Sequence, residues 1–518
     1  IDSIDGKSIK KMYELMLTGE FDYRPGQIVS VQMSRNDQPY EFDMRLDQGY
    51  DFSEPILSIY VGDQDRWVVW TPQGYYDAAP GAEELIGWHV NRGPDKAAAY
   101  FSVGQFREQL YRPDIIDRLL GGQSLEEAVQ QANQDRDDTV EVDFRSPSDL
   151  ALHHPPNIEI ISPTGAEDLT SGNNVIEAVI TSPNGLPIRE VTLLVNGVTT
   201  ETFDPASAAE TRMEVKHPVE LSVGSNVIEL VASNAQSRGF ADTLVKVVPV
   251  EGEPSTERAQ PKTDLRVLSI GIAKRSETAN DSGTTQAIDD AKFFAETMKA
   301  QAEGKLYRQV TEKVLLGPQA TRSAILDGFQ WLVDQTQPGD TVAIYVASDA
   351  FIDSSQNYYI GTHDVDLDRP RATAISWREF VKTLQTDLPG CKRLVFLDLD
   401  PNEQALTPGL RNPLLDLAAP EMGTVFFSST ALQQRLPAAS GNGRSFLTQA
   451  LRQTLGDNGA DVAPRPPDGL LSCEEASLAW MKKVRGLSAG RLYPIAFAPA
   501  ASGQINVFQL DDAGQPGE

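Results

Sequence analysis

The sequence is poor in cysteine, in histidine and in basic side chains. Its 518 residues include two cysteines, Cys391 and Cys473, five histidines, and 45 lysines and arginines against 74 aspartates and glutamates. Two cysteines exclude a disulfide scaffold and a cysteine-rich zinc site. The histidines form no HExxH pattern, so nothing in the sequence supports a zinc peptidase of that kind.

Long apolar runs and a basic surface are also lacking. The formal net charge is −29, which repels phosphate groups, so we expect no nucleic-acid partner and no docking on anionic lipid. No apolar run reaches the roughly 18 residues of a membrane span, so we expect no direct membrane segment. The chain begins at Ile1 without a leader pattern, which predicts a fragment or a processed product of a longer protein.

What is present is the composition of a globular protein, 40% hydrophobic and 23% charged, at a length that predicts three or four domains. Changes in patterning along the chain predict a multidomain protein with four folded modules and two polar linkers. The predicted modules are residues 1–50, 51–135, 155–250 and 264–518, and the predicted linkers are residues 136–154 and 251–263.

Residues 1–50 predict a strand, a helix and two further strands, an α+β module. The segment resembles the second half of a bacterial PDZ domain. The resemblance implies peptide binding by strand addition only if the missing half is supplied, and otherwise a structural remnant. The residues that fit are Lys7, Pro25, Gly26, Val29, Val31 and Arg35.

Residues 51–135 form a small aromatic-rich module. The run 67–70 reads W-V-V-W and predicts a strand whose alternation buries every second ring, with a sugar or peptide platform as the alternative. His89, next to a tryptophan, is interpreted as a packing residue rather than a ligand. Two helices are predicted to follow, over residues 103–110 and 125–132.

Residues 155–250 show short alternating apolar runs separated by turn residues such as Asn184-Gly185 and Asn196-Gly197. This pattern is typical of an all-β antiparallel sandwich of immunoglobulin type. The segment has no cysteine pair and resembles the bacterial Ig-like spacer domains, which position their neighbours.

Residues 264–518 alternate apolar strands with amphipathic helices, which predicts an α/β domain with a mainly parallel, doubly wound sheet. Chemistry on such sheets gathers beyond the carboxyl ends of the strands. Here two of those ends read Ser348-Asp349-Ala350 and Leu399-Asp400-Pro401. The predicted strands are residues 265–272, 310–316, 341–347, 393–398 and 423–429.

This last module resembles the caspase-like clan of cysteine peptidases over about half of the chain. Residues 289–294 fit the D-A-x-x-F helix of that clan, and Ala320-Thr321 fits the start of the next helix. Leu397-Asp398 fits the end of the fourth strand, and residues 443–451 fit the late G-x-F-T-x-A-L helix. The resemblance implies a caspase-like fold.

The resemblance also implies that both catalytic positions are substituted. An active member carries A-G-H-G after the third strand and D-x-C-x-S-G after the fourth, where the thiol attacks and the imidazole transfers protons. Asp349 and Asp400 stand at these two positions. Cys391, Cys473 and His363 occupy neither, so we expect no catalytic dyad and two structural thiols.

The replacement carboxylates allow other chemistry. Asp349 and Asp400, with Asp398 close by, could share a proton as aspartic dyads do, or hold Ca²⁺ or Mg²⁺. The D-x-D-x-D string at 364–368 lacks the glycine and distal glutamate of an EF-hand loop. The simpler interpretation is a solvated remnant of a cleft, and we expect no cofactor and no metal.

The sequence therefore predicts a non-catalytic pseudocaspase that acts as a modular scaffold with a protein partner. The first alternative is a hydrolase or a metal-binding site that uses Asp349 and Asp400. The second alternative is a subunit of a larger protease-like assembly.

Overall fold

The chain divides into two compact units, residues 1–58 and 59–518. The structure, a computed structural model, describes residues 2–18, 23, 27–35, 38–45, 55–62, 66–90, 98–136, 142–145, 150, 153–163, 172–221, 224–241, 244–248, 263–272, 283–300, 306–432, 434, 436, 444–456, 469–499 and 505–510. Within these residues, no helix has both the length and the apolar character needed to cross a membrane.

The first unit is a four-stranded antiparallel sheet with one helix. Its strands lie in the order β2-β1-β3-β4, and the turn at Asp5-Gly6 has positive φ at both residues, as a tight hairpin requires. The predicted first strand, helix and two further strands are present, but a second short strand, β2, which was not predicted, precedes the helix, and Pro25 and Gly26 lie outside the described residues. The elements are β1 Ser3–Ile4, β2 Lys7–Ser8, α1 Ile9–Thr18, β3 Ile28–Arg35 and β4 Gln38–Arg45.

The aromatic-rich module combines two small sheets with three helices. Trp67 and Trp70 are both half-buried while the valines between them are buried, so the predicted alternation of rings is wrong. His89 is exposed, so it is not the packing residue that we predicted. The elements are β5 Ser58–Val61, β6 Trp67–Trp70, β7 Tyr76–Ala78, β8 Gly87–Val90, β9 Ala99–Ser102, α2 Arg107–Leu110, α3 Pro113–Leu120 and α4 Leu125–Arg136.

Helix α3, which begins at Pro113, was not predicted. Proline occupies the first turn of α3, where its missing N–H would have no partner in the helix anyway. The predicted helix 103–110 is divided into a 3₁₀ turn at Val103–Phe106 followed by α2.

The predicted linker 136–154 is packed where the structure describes it. Phe144 is buried, its ring lies 5.3 Å from Trp88 and 5.0 Å from Phe106, and its carbonyl accepts a hydrogen bond from Trp88 Nε1 at 3.1 Å. The main-chain N–H of Val142 donates to the Tyr75 hydroxyl at 3.0 Å. A single buried aromatic ring in a polar stretch was too weak a pattern to predict this packing.

Two antiparallel sheets of three and five strands follow and enclose one apolar core. The strand at Val198–Phe203 was not predicted, since its polar residues lack alternation. Asn196 and Gly197 form the predicted turn, both at positive φ. The strands are β10 Asn157–Ser162, β11 Gly172–Thr181, β12 Glu190–Val195, β13 Val198–Phe203, β14 Arg212–Leu221, β15 Gly224–Ser233, β16 Arg238–Phe240 and β17 Leu244–Val248. The predicted linker 251–263 lies outside the described residues except for Thr263.

The last module is built on a sheet in the order β19-β18-β20-β23-β24-β26, parallel except for β26. Helices cover both faces, and each face has its own apolar core. The strands are β18 Leu265–Gly271, β19 Val310–Leu316, β20 Thr341–Ile352, β21 Tyr358–Ile360, β22 Ile375–Ser376, β23 Lys392–Pro401, β24 Thr424–Ser428, β25 Leu470–Ser472, β26 Ile495–Phe497 and β27 Asn506–Gln509. The helices are α5 Gly283–Ala300, α6 Arg322–Gln335, α7 Pro370–Thr373, α8 Trp377–Lys382, α9 Leu414–Leu417, α10 Phe446–Leu455 and α11 Cys473–Leu487.

Buried polar contacts join the sandwich to the α/β sheet. Arg393, at the start of β23, is buried and donates to the Thr199 hydroxyl at 2.8 Å. The main-chain N–H of Gly390 donates to the Thr199 carbonyl at 2.6 Å. At Gly423 a Cβ atom would lie 2.4 Å from the carbonyl oxygen of Gly197, so only glycine allows this approach. These contacts lie at the amino ends of the parallel strands and leave the carboxyl ends to the candidate site.

Candidate functional site

Asp349 and Asp400 lie directly opposite each other on neighbouring parallel strands. β20 and β23 pair in register from Thr341↔Lys392 through Asp349↔Asp400, so the two side chains point to the same face of the sheet. Both residues are half-buried. Strand β18 ends opposite Ala347, and β21 takes its place beside β20. Asp349 therefore lies at the point where the sheet order reverses, the usual position of a site in such folds.

Asp398 lies on the same face as Asp400 but deeper, and it is buried. Its carboxylate accepts a hydrogen bond from Ser429 Oγ at 2.7 Å. Burial, followed by the Asp398 charge, raises the pKa of Tyr345 well above its ordinary value. Asp398 is thus held in place by Ser429, at the end of β24.

Asp290 is a functional candidate that the sequence reasoning missed. It is buried on α5 and accepts hydrogen bonds from the Ser445 main chain at 3.0 Å and from Thr448 Oγ1 at 2.6 Å. Burial, followed by the charge of Asp398, raises its pKa to about 6. The sequence held a signal for a buried acid here, because Asp290 directly precedes Ala291 in the helix motif at 289–294, and Ala291 is buried.

The outer edge of the site involves Asp400. Its Oδ1 accepts a hydrogen bond from the main-chain N–H of Leu436 at 2.9 Å. Burial, followed by the Asp400 charge, raises the pKa of Tyr358 far above its ordinary value. The Tyr358 ring lies edge-on to Trp377, so β21 and α8 form the wall on this side.

Neither cysteine lies at the carboxyl ends. Cys391 is buried before β23, so the nine residues to Asp400 place it about 30 Å away along the strand. Its Sγ donates to the Leu388 carbonyl at 3.2 Å, and burial raises its pKa to about 11. Cys473 is buried at the first position of α11, and burial raises its pKa to about 12.

His363 is exposed in the loop after β21. Gly361, two residues before it, donates its main-chain N–H to the Asp349 carbonyl at 2.8 Å, and the main-chain N–H of His363 donates to the carbonyl of Ala320, which follows β19. In the sheet order, β19 is separated from β20 by β18. The loop that carries this imidazole is therefore anchored both beside Asp349 and near the end of another strand.

The acidic string at 364–368 serves local structure. Asp364 accepts a hydrogen bond from the Arg322 main chain at the start of α6, at 2.9 Å. Asp366 pairs with Arg369 at 2.9 Å. Across the part of the chain that the structure describes, no three acidic, histidine or cysteine side chains form a group able to hold a metal ion.

The site therefore contains two half-buried acids, Asp349 and Asp400, and two buried acids deeper in the domain, Asp398 and Asp290. Neighbouring strands lie about 4.8 Å apart, so the side chains of Asp349 and Asp400 are next to each other. Like charges placed opposite each other on adjacent strands destabilise the sheet unless water or a cation offsets them. The described residues offer no thiol to a peptide bond at this site.

Comparisons with known proteins do not name a family. No protein-family profile matches the chain, and no curated protein does. A solved structure, that of protein GSU0716 from Geobacter sulfurreducens, is similar at 14% identity with a TM-score of 0.31. The match covers 48% of this chain and 100% of that protein, and at this TM-score it carries no inference about function.

Proposed function

We propose that this protein is a modular interaction scaffold whose C-terminal domain has a caspase-like fold without peptidase activity. The observation that carries the proposal is the register of β20 and β23. It places Asp349 and Asp400 together at the two strand ends where the resemblance expects an imidazole and a thiol.

The state of the two thiols supports the proposal. A thiolate is the reactive form of cysteine, and burial in apolar surroundings keeps a thiol protonated. Cys391 and Cys473 are both fully buried, with pKa values raised to about 11 and about 12. Neither thiol is available to a substrate at neutral pH.

Exposed apolar side chains of the first unit support a protein partner. Tyr40 and Phe42 lie two residues apart on one face of β4 and are 52% and 44% exposed. Neighbouring exposed aromatic side chains on one face of a small sheet are typical of a surface that contacts another protein. We assign the partner-binding role to this unit.

Peptide turnover and thiol labelling test the proposal together. The full chain is incubated at neutral pH with a peptide library and with iodoacetamide, and both readings are repeated in guanidinium. We expect no cleavage, no labelling of the folded protein and labelling of both cysteines after unfolding. Cleavage that disappears in a Cys391→Ala or Cys473→Ala variant would overturn the proposal.

The same register favours one alternative, a hydrolase that uses the carboxyl pair. In that case Asp349→Asn and Asp400→Asn would each abolish a measurable hydrolysis while leaving the protein folded. Asp366→Asn is the matched control, since its carboxylate pairs with Arg369 in a surface turn. If none of the three variants alters any activity of the wild-type protein, the alternative is excluded.

A further inference from the structure

A cavity of about 620 Å³ lies between the aromatic-rich module and the edge of the α/β sheet. Trp67, Val69 and Asp77 share one face of the β6–β7 pair and form one wall. Strand β26 and its flanking residues form the opposite wall. The two walls meet where Gly81 touches the Phe497 ring, at a distance that leaves no room for a Cβ atom. The cavity is thus built by two modules and is separate from the carboxyl pair.

The cavity contains one carboxylate within mostly apolar surroundings. Asp77 accepts a hydrogen bond from the main-chain N–H of Ala78 at 2.9 Å. A carboxylate has about four acceptor positions, so acceptor capacity remains for a ligand.

The charges around Asp77 are acidic. Burial raises its pKa to about 6, and the charged groups that raise it further are Asp117 and Glu83. Arg66 also lines the cavity, but it is not among the groups that shift this pKa. Within the described residues, no lysine or arginine forms an ion pair with Asp77. A half-buried carboxylate in this position favours a cation brought by a ligand.

The mouth of the cavity is apolar and exposed. Ile59, Val61, Leu120 and Tyr493 line it with 67%, 66%, 71% and 64% of their surfaces exposed. Four large apolar side chains around one opening are unusual on a surface without a ligand. The volume lies within the range of small-molecule sites, about 300–1,000 Å³.

We propose that this cavity binds a small amphipathic organic cation, with its ammonium group at the Asp77 carboxylate and its apolar body between Trp67 and β26. The net charge of −29 attracts cations to the protein as a whole. The carboxylate selects the charge of the ligand, and the apolar walls select its body.

Binding of a defined probe tests the proposal on the full chain. The probe is dansylcadaverine, an aromatic body joined by an alkyl chain to a primary ammonium group, and the comparison compound ends in a hydroxyl group instead. Fluorescence titration is carried out at neutral pH. We expect the ammonium compound to bind at least about tenfold more tightly than the hydroxyl compound, because a charge-assisted hydrogen bond forms only with the former.

Two pairs of variants separate the carboxylate from the apolar mouth. Asp77→Asn should remove the preference for the ammonium compound, whereas Glu229→Gln, a half-buried carboxyl of the sandwich with a pKa also raised by burial, should keep it. Leu120→Ser should weaken the binding of both compounds about threefold to tenfold. Leu367→Ser, at a similarly exposed leucine outside the cavity, should not change the affinity for either compound.

Three outcomes would overturn the proposal. The first is equal affinity of the wild type for the two compounds, and the second is an undiminished preference in a folded Asp77→Asn variant. The third is binding of a lysine-containing peptide without binding of the free amine, which would indicate a protein partner instead. Because Leu120 is exposed, its variant folds and remains informative even if Asp77→Asn does not.

Discussion

Four aspartate carboxyl groups lie near one corner of the α/β sheet, two of them half-buried and two of them buried. Asp349 and Asp400 are half-buried at the strand ends, where water reaches them, whereas Asp290 and Asp398 are buried beneath them. Burial in a low-dielectric interior disfavours the charged form of an acid, and a neighbouring like charge disfavours it further. The ionisation of the buried Asp290 therefore affects the stability of the fold.

We predict that Asp290 makes the protein less stable as the pH rises. The pKa of this carboxyl increases from 3.8 in the unfolded chain to about 6 in the folded one. The folded protein therefore retains a proton that the unfolded chain releases between about pH 4 and 6, and the free energy of unfolding falls through that interval. The full effect of this group is about 3 kcal/mol.

Asp290→Asn should remove that part of the pH dependence. Urea unfolding at about pH 4.5 and 7.5 measures the difference for the wild type and the variant. Asp289→Asn, an exposed neighbour on the same helix, is the control and should behave as the wild type. The pKa of Asp77 is also raised to about 6, so the free energy of unfolding of the Asp290→Asn variant should still fall with pH, but less steeply than that of the wild type. An unchanged slope in Asp290→Asn would contradict the prediction.

At the scale of elements, a buried ion pair within the aromatic-rich module orients the arginine that bonds to the α/β domain. Arg107 of α2 is buried with Glu83, to which it donates two hydrogen bonds. Its Nη1 donates a third hydrogen bond to the Leu415 carbonyl of α9 at 2.7 Å. Tyr76 bonds the same Glu83. The position of β6 and β7, and with it one wall of the cavity, depends on this pair.

We predict that Arg107→Met lowers the free energy of unfolding by about 3–5 kcal/mol, because it leaves Glu83 buried without a counter-charge. Chemical denaturation of the full chain measures the loss. Arg118→Met is the matched control, since its partner Asp135 is 62% exposed, and it should cost less than about 1 kcal/mol. The double variant Glu83→Gln/Arg107→Met should regain part of the loss. A single variant as stable as the wild type would show that the pair does not hold the module.

At the scale of the whole molecule, residues 59–518 form one compact unit although their sequence patterns predict three modules. Arg393, Thr199 and Gly423 join the sandwich to the sheet through buried contacts. Interfaces of this kind make neighbouring modules open together rather than separately.

We predict that the sandwich and the α/β sheet share one cooperative opening. Hydrogen exchange measured by mass spectrometry should give similar opening free energies for β12 and β20. Arg393→Met should lower both values, because it removes buried hydrogen bonds to Thr199 and to the Leu384 and Met422 carbonyls. Arg378→Met, at an exposed arginine, should change neither. A sandwich that already opens separately in the wild type would contradict the prediction.

The strand and helix periodicities of residues 264–518 predicted most of the α/β sheet, because buried strands and amphipathic helices leave a local pattern. The same pattern located the acids at the strand ends. It placed the end of β20 at residue 347, whereas β20 continues to Ile352, because β21 pairs with it there. That pairing is a contact between residues distant in sequence, which periodicity does not record.

The sequence alone determined the net charge, the two cysteines and the two aspartates at the strand ends, since each is a property of single residues in local order. The tertiary structure decided which side chains are buried together. Asp398 and Asp290, on a strand and a helix 108 residues apart in sequence (398 − 290), lie close enough for one charge to shift the pKa of the other. Phe144 became part of a core and Asp77 part of a cavity, because each depends on partners supplied by other segments of the chain.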